Sequence, residues 1–196
     1  DIQLEVSTGK NSLSLKQDLQ AITNLSASEE HKLELTQFKN NAERVISDLE
    51  KINLSFDQLQ NAAIRLKELH VQSSNGLRSP ADRLAFKNQV TAIRGEIFGI
   101  ANSVDAFGNG YFSGISGVAE PFKVDNFGSI SYSGAASAKS LQISRDSDLR
   151  QNFSGNEVFL SAGQVNAKFS VFDAIDAFAQ SLDYDYPAGQ SSNLFS

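Results

Sequence analysis

The sequence predicts an α+β fold: an elongated antiparallel helical rod carrying a small antiparallel β-rich insertion. Three observations carry this. A long heptad run of apolar residues occupies the first half, a second run of matching spacing follows a short break, and glycine with period-two alternation takes over beyond it. Up to Asp105 the chain holds 26 charged residues and 4 glycines, and from Ala106 onward 14 and 9 in fewer positions. Helical patterning therefore gives way to strands and turns.

In the first half Leu35, Phe38, Ala42, Val45, Leu49, Ile52, Phe56, Leu59, Ala63 and Leu66 follow one another at alternating spacings of three and four. A 3.5-residue repeat held this long requires long helices packed with a left-handed twist, because a straight helix would rotate the stripe off its partner. The helix is expected to close at Ser74-Asn75-Gly76, where Asn or Gly can adopt the left-handed conformation that caps a C-terminus. Ser79-Pro80-Ala81-Asp82 opens a second helix: Ser79 caps the free amides, Pro80 suits the first helical position, and Asp82 adds favourable charge to the first turn. Phe86, Val90, Ile93, Ile97, Ile100 and Val104 then continue at spacings of four and three. The short connection from Ser74 to Arg78 makes the two helices antiparallel neighbours.

The run Phe107-Gly108-Asn109-Gly110-Tyr111-Phe112-Ser113-Gly114 breaks the helix and leads to Val118-Ala119-Glu120-Pro121-Phe122-Lys123-Val124. Ser129-Ile130-Ser131-Tyr132-Ser133-Gly134 and Ser140-Leu141-Gln142-Ile143-Ser144 alternate as half-buried antiparallel strands of one small sheet should. Phe169, Phe172, Ile175 and Ala179 recur at helical spacing, predicting a short amphipathic helix that returns the chain to the rod.

Composition excludes several functions. The chain has no Cys, which removes thiol catalysis, Cys-based zinc sites and disulfides. Its two histidines, His31 and His70, lie far from the i, i+4 spacing of paired metal ligands. A formal charge of -6 offers no cationic face to nucleic acid or anionic lipid. No apolar run reaches membrane-span length, so no membrane insertion is expected. The start Asp1-Ile2-Gln3-Leu4-Glu5 lacks the basic and apolar regions of a signal peptide. With no Met anywhere, the sequence reads as a piece of a longer protein.

Constellations that could carry chemistry fare poorly. Ser7-Thr8-Gly9-Lys10 fits S-x-x-K, but the partner motifs S-D-N and K-T-G are absent. Gly108-Asn109-Gly110 and Gly114-Ile115-Ser116-Gly117 follow a helix instead of linking a strand to a helix, and lack the phosphate-loop Lys-Ser/Thr, so they are read as turn glycines. The acidic pairs Glu29-Glu30, Asp146 with Asp148, and Asp183 with Asp185 have nothing converging on them and are read as solvated faces. His70 continues the first seam, and His31 precedes Leu35 by four; both are read as structural. The sequons at Asn24, Asn53 and Asn152 are read as accidental, and Phe38, Phe56 and Phe86 as core. No catalytic, cofactor-binding or metal-binding residue is assigned, no cofactor is expected, and the chain is read as not an enzyme.

The stretch Leu66-Lys67-Glu68-Leu69-His70-Val71-Gln72-Ser73-Ser74-Asn75-Gly76 resembles a helix end of the flagellin superfamily, R-x-E-L-A-V-Q-x-A-N-G. Ser79-Pro80-Ala81-Asp82-Arg83 follows as in that superfamily. Ile100-Ala101-Asn102-Ser103-Val104-Asp105 then looks like the A-N-T-x-D segment of its hook-filament junction members. Tyr111-Phe112-Ser113-Gly114, Pro121-Phe122, Ser131-Tyr132-Ser133-Gly134, Ser154-Gly155-Asn156-Glu157-Val158-Phe159 and Val171-Phe172-Asp173-Ala174-Ile175 continue the likeness in order. Ser7-Thr8-Gly9-Lys10 departs from it by lacking the S-D-D-P that normally follows S-S-G-K, so the entry to the first helix is expected to differ.

The resemblance implies an extracellular structural adaptor of the bacterial flagellum, exported through the flagellar type III pathway. Copies would form a ring between the first hook-associated protein and flagellin. An export chaperone would act through termini that this sequence does not contain. The implied organisation is 1–116 as the N-terminal part of the rod, 117–165 as the β-rich outer insertion, and 166–196 as a returning segment whose remaining rod helix is missing. The alternatives are a flagellin filament subunit, or a surface adhesion or sugar-binding module at 118–165 whose Tyr and Phe residues would stack on the ligand.

Overall fold

The computed structural model describes residues 2–74, 79–161 and 169–183, with the side chains of the first helix from residue 16 onward. The expected cap at Asn75-Gly76, and Asp185, lie outside the described residues. Helix α1 runs Ile2–Ser74 and α2 Pro80–Ala101, followed by β1 Phe122–Val124, β2 Ile130–Tyr132, β3 Ser140–Ser144, β4 Ser147–Arg150, α3 Gly155–Phe159 and α4 Val171–Ser181. The fold is α+β, as predicted, with the strands in two separate two-stranded sheets instead of one.

The length of α1 follows from what its sequence omits: neither Gly nor Pro occurs between Lys10 and Asn75, so nothing interrupts the i→i−4 ladder. Helix α2 begins as its sequence directs. The Asp82 amide donates to Ser79 Oγ at 3.1 Å, and the Ser79 hydroxyl donates to Asp82 Oδ2 at 2.7 Å. Val90, Ile93, Ile97 and Ile100 are buried. The helix stops at Ala101, so Val104 falls outside it and pairs instead in an isolated bridge with Gly110.

Two compact units divide the chain. The first comprises Asp1–Arg44 and Leu141–Leu149. Here the side chains of Leu19, Ile22, Leu25, Leu33 and Leu35 are more than half exposed, so Leu35 does not extend the buried seam. The β3-β4 tip is held to α1 by polar contacts. Asn41 Nδ2 donates to the Gln142 carbonyl at 2.8 Å, and the Arg145 guanidinium grips Glu34 through Nε–Oε1 at 2.8 Å and Nη2–Oε2 at 2.5 Å.

The second unit, Val45–Ser140 with Arg150–Ser196, holds the main core. On α1 its buried residues are Val45, Asp48, Ile52, Ser55, Ala62 and Leu69, with Leu59 and Leu66 partly buried. The heptad is present, but alternate positions sit one residue earlier than the apolar pattern predicts: Asp48 replaces Leu49, Ser55 replaces Phe56 and Ala62 replaces Ala63. Asp48 and Ser55 are polar, and a search for apolar periodicity passes over them. Their burial is tolerated because Gln151 Nε2 donates to Asp48 Oδ2 at 2.7 Å and Ser55 Oγ donates to the Lys51 carbonyl at 3.1 Å. Phe56 flanks the stripe, its ring edge-on to Phe112 and Phe153 at 6.1 and 5.5 Å.

Helix α4 lies antiparallel to α2. Arg94 pairs with Asp176 near the middle of both helices, and Lys87, nearer the start of α2, pairs with Asp183 just past the end of α4. Phe172, Ile175 and Phe178 are its buried face. Phe169 precedes the helix, and Ser170 caps it by accepting from the Asp173 amide. Strands β1 and β2 pair antiparallel with Phe122 opposite Tyr132.

Candidate functional site

Several of the segments that carry the likeness converge on one construction in the second unit. Asn102 ends α2 and clamps β1: its Nδ2 donates to the Phe122 carbonyl at 3.0 Å, and its Oδ1 accepts from the Phe122 amide at 2.9 Å. Phe122 thus enters a cluster with Phe112, Phe159 and Phe172, all essentially inaccessible to solvent. Phe159 meets Phe112 and Phe122 edge-on at 5.1 and 5.2 Å, and stacks on Phe172 at 5.9 Å. Each ring comes from a different quoted segment.

Around the cluster, polar side chains satisfy the turns. The Tyr132 hydroxyl accepts from the Gly155 amide at 3.1 Å and faces the carbonyls of Phe112 and Ala135 at 3.0 and 2.9 Å. Ser154 caps α3 and donates to the same Ala135 carbonyl at 2.9 Å. Gly155 must be glycine for packing: a Cβ there would stand 2.5 Å from the Phe122 ring and 2.7 Å from Tyr132. Asn152 is buried, its Oδ1 accepting from the Lys139 amide at 2.7 Å and its Nδ2 donating to the Gly114 carbonyl at 2.8 Å.

A repeat that sequence reading missed becomes plain in three dimensions. Asp105-Ala106-Phe107-Gly108-Asn109 and Asp125-Asn126-Phe127-Gly128-Ser129 share the pattern D-x-F-G-x and the same geometry. In each, the Asp Oδ1 accepts amides two and four residues on, all at 2.8 Å, and the glycine takes a φ of 83° or 86°. Phe127 stands 95% exposed at its tip. The second turn is buttressed by Arg94, whose Nη2 donates to the Gly128 carbonyl at 2.9 Å.

One open apolar groove of about 280 Å³ lies between α1 and α4, lined by Leu66, Lys67, His70, Phe169, Val171, Ile175 and Phe178 among others. His70 meets Phe178 edge-on at 5.3 Å, a packing role consistent with its place beside the seam. His31 contacts Glu34 Oε2 at 3.3 Å. The hydrogen bond from Arg145 brings the Glu34 carboxyl down to about 2; desolvation, the next largest influence, opposes it, and the hydrogen bond from His31 adds a smaller lowering. Burial, with Asp48 and Asp105 nearby, pushes the Tyr111 hydroxyl up. Asp183 pairs with Lys87, while Glu29, Glu30, Asp146 and Asp148 are solvent-exposed. Among the described residues no group of three or more His, Asp or Glu is placed to hold a metal, and no helix is long and apolar enough to cross a membrane.

No family model matches the chain. It is 34% identical over 74 residues to Flagellin C of Vibrio anguillarum, a match covering 38% of this chain and 20% of that protein. Among solved structures it is similar to FlgL of Xanthomonas campestris, at 31% identity with a TM-score of 0.62, covering 67% of this chain and 42% of that one. It also matches the flagellar junction protein FlgL of Legionella pneumophila at 20% identity with a TM-score of 0.58, covering 70% of this chain and 41% of that one. The chain therefore spans about two fifths of these two structures and a fifth of the flagellin. Sequence and fold agree: several of the segments quoted for the likeness build one aromatic core, and over two thirds of its length the chain is similar to FlgL.

Proposed function

We propose that the protein to which this chain belongs is a structural adaptor of the bacterial flagellum, joining the hook-associated ring to the flagellin filament, and that it is not an enzyme. The observation that carries this reading is the likeness to FlgL at 31% identity over two thirds of the chain. In this reading copies of the protein form a ring outside the cell, in contact with the first hook-associated protein on one side and flagellin on the other. The reading includes export through the flagellar type III pathway with the help of an export chaperone. Residues 1–116 and 166–196 contribute to the rod, and 117–165 form the outer insertion. The groove between α1 and α4 is the seat of the rod's returning helix, and its almost wholly apolar lining suits a helix face.

The physical logic is mechanical. An adaptor between two polymers needs long helices and satisfied turns that hold contact surfaces in place, and the doubly hydrogen-bonded D-x-F-G-x turns supply such rigidity. Deleting the gene is expected to leave hooks without filaments and to spill flagellin into the medium, seen by electron microscopy and by analysis of the culture supernatant. Normal filaments in the deletion strain would overturn the reading. The match to Flagellin C favours a filament subunit as the second reading, and that reading predicts intact junctions without filaments. A flagellin expressed in trans would then restore them.

A further inference from the structure

Among the described residues Asp48 is the one carboxylate on the buried stripe of α1, and its partner Gln151 leaves half of its amide unaccounted for. Gln151 is 4% exposed. Its Nε2 donates to Asp48 Oδ2 at 2.7 Å, which fixes the amide's orientation, because the flipped amide would set two acceptors face to face. Oε1 is therefore turned away from Asp48, buried, and without a hydrogen-bond partner among the protein atoms. Buried amide oxygens in folded proteins almost always accept a hydrogen bond.

Gln151 also lines a small, partly open cavity of about 20 Å³, together with Asp48, Asp105, Asn109, Tyr111 and Lys139 among others. That volume matches a single occupant, since one water needs at least roughly 10–15 Å³ measured in this way and two polar partners or more. Tyr111 and Lys139, whose side chains end in a hydroxyl and an ammonium, are among the lining residues. A cation fits less well. The Asp105 carboxylate already accepts from the amides of Phe107 and Asn109 and from Asn109 Nδ2, Asp48 is engaged by Gln151, and Lys139 adds positive charge. Calcium would demand about six to eight oxygen ligands.

We propose that this cavity is a binding site for one ordered water, which donates to Gln151 Oε1 and joins α1, through the Asp48-Gln151 pair, to the loop that carries Asp105 and Tyr111. The site explains why the heptad stripe tolerates an aspartate facing a buried glutamine: the pair is the protein half of a hydrogen-bond network that water completes.

A crystal structure of the chain at a resolution that orders internal waters tests this. The expected result is one full-occupancy peak about 2.7–3.1 Å from Gln151 Oε1, with at least one further polar neighbour at similar distance. An empty cavity, or a peak with several oxygen contacts of about 2.3–2.6 Å marking a cation, would overturn the proposal. Oxygen-17 relaxation dispersion in solution supplies a second measure. Gln151→Leu should lose one long-lived internal water, while Asn126→Ala on the exposed turn should lose none. An unchanged count in Gln151→Leu would also overturn the proposal, and should that variant fail to fold, the wild-type crystal structure still decides. Melting temperature should not shift on adding sodium, calcium or a chelator, whereas a rise with either ion would favour a cation site.

Discussion

The two halves of α1 contrast sharply although they belong to one helix. From Val45 onward the helix buries Val45 and Ile52 and places Ala62 and Leu69 in a core with α2, α4 and the aromatic cluster. Before it, Leu19, Ile22, Leu25 and Leu33 face solvent, and the β3-β4 tip is held by Arg145-Glu34 and Asn41-Gln142. The difference teaches that helix formation and helix burial are separate matters. The absence of Gly and Pro between Lys10 and Asn75 lets the helix run on unbroken, but only the part that meets aromatic partners acquires cooperative stability.

The largest expected effect lies in the buried region. Phe56→Asp removes ring contacts to Phe112 and Phe153 and sets an unpaired carboxylate against the core, a loss on the order of 3–5 kcal/mol. Lys51→Ala, on the exposed side of the same helix, should cost no more than about 0.5 kcal/mol. Urea melts of the two variants that proved equal would break the contrast between faces.

A smaller effect tests whether the motif glycines serve packing. Gly155→Ala forces a methyl to within 2.5 Å of Phe122 and 2.7 Å of Tyr132, and should destabilise by about 1–3 kcal/mol through overpacking. Its near-ultraviolet circular dichroism should change with it, because the affected rings belong to the aromatic cluster. A silent Gly155→Ala would mean the cluster is loose enough to repack.

The smallest effect is in the first unit, where the hold is electrostatic. Glu34 has its carboxyl lowered from 4.5 to about 2 by Arg145. Its contribution is therefore fully present above about pH 4.5 and is lost as pH falls toward 2. The pair is solvent-accessible, so global stability should barely respond. The resonances of Arg145 and of the β3-β4 tip should instead shift with an apparent midpoint near 2, and lose that transition in Glu34→Gln. A midpoint at the ordinary carboxylate value would mean that the ion pair is not formed in solution.

How much of this was legible in the sequence depends on which force sets each element. The start of α2 could be read to the residue, because Ser79, Pro80 and Asp82 act locally through one turn of backbone. The stripe Val90-Ile93-Ile97-Ile100 was equally plain, since apolar burial leaves a periodic trace. On α1 the same method found the heptad but placed alternate positions one residue late, because Asp48 and Ser55 are buried through hydrogen bonds that periodicity does not register. Strand β4, Ser147-Asp148-Leu149-Arg150, gave no apolar alternation and went unseen. Helix α3 is a five-residue element set by the Ser154 cap and the Phe159 anchor, too short to show a period. The aromatic core could not be assembled from sequence pattern, since its rings come from segments up to 60 residues apart. The resemblance quoted those segments without saying that they touch.

Native-state hydrogen exchange along α1 tests the central claim most directly, namely that the segments carrying the family likeness form the core that stabilises the chain. Amides between Val45 and Leu69 should exchange slowly, near the limit set by global unfolding, and those between Lys16 and Lys39 should exchange much faster through local opening. The step should fall near Arg44 and Val45, where the two units divide. Uniform protection along the whole of α1, or protection greater in its first half, would contradict the account.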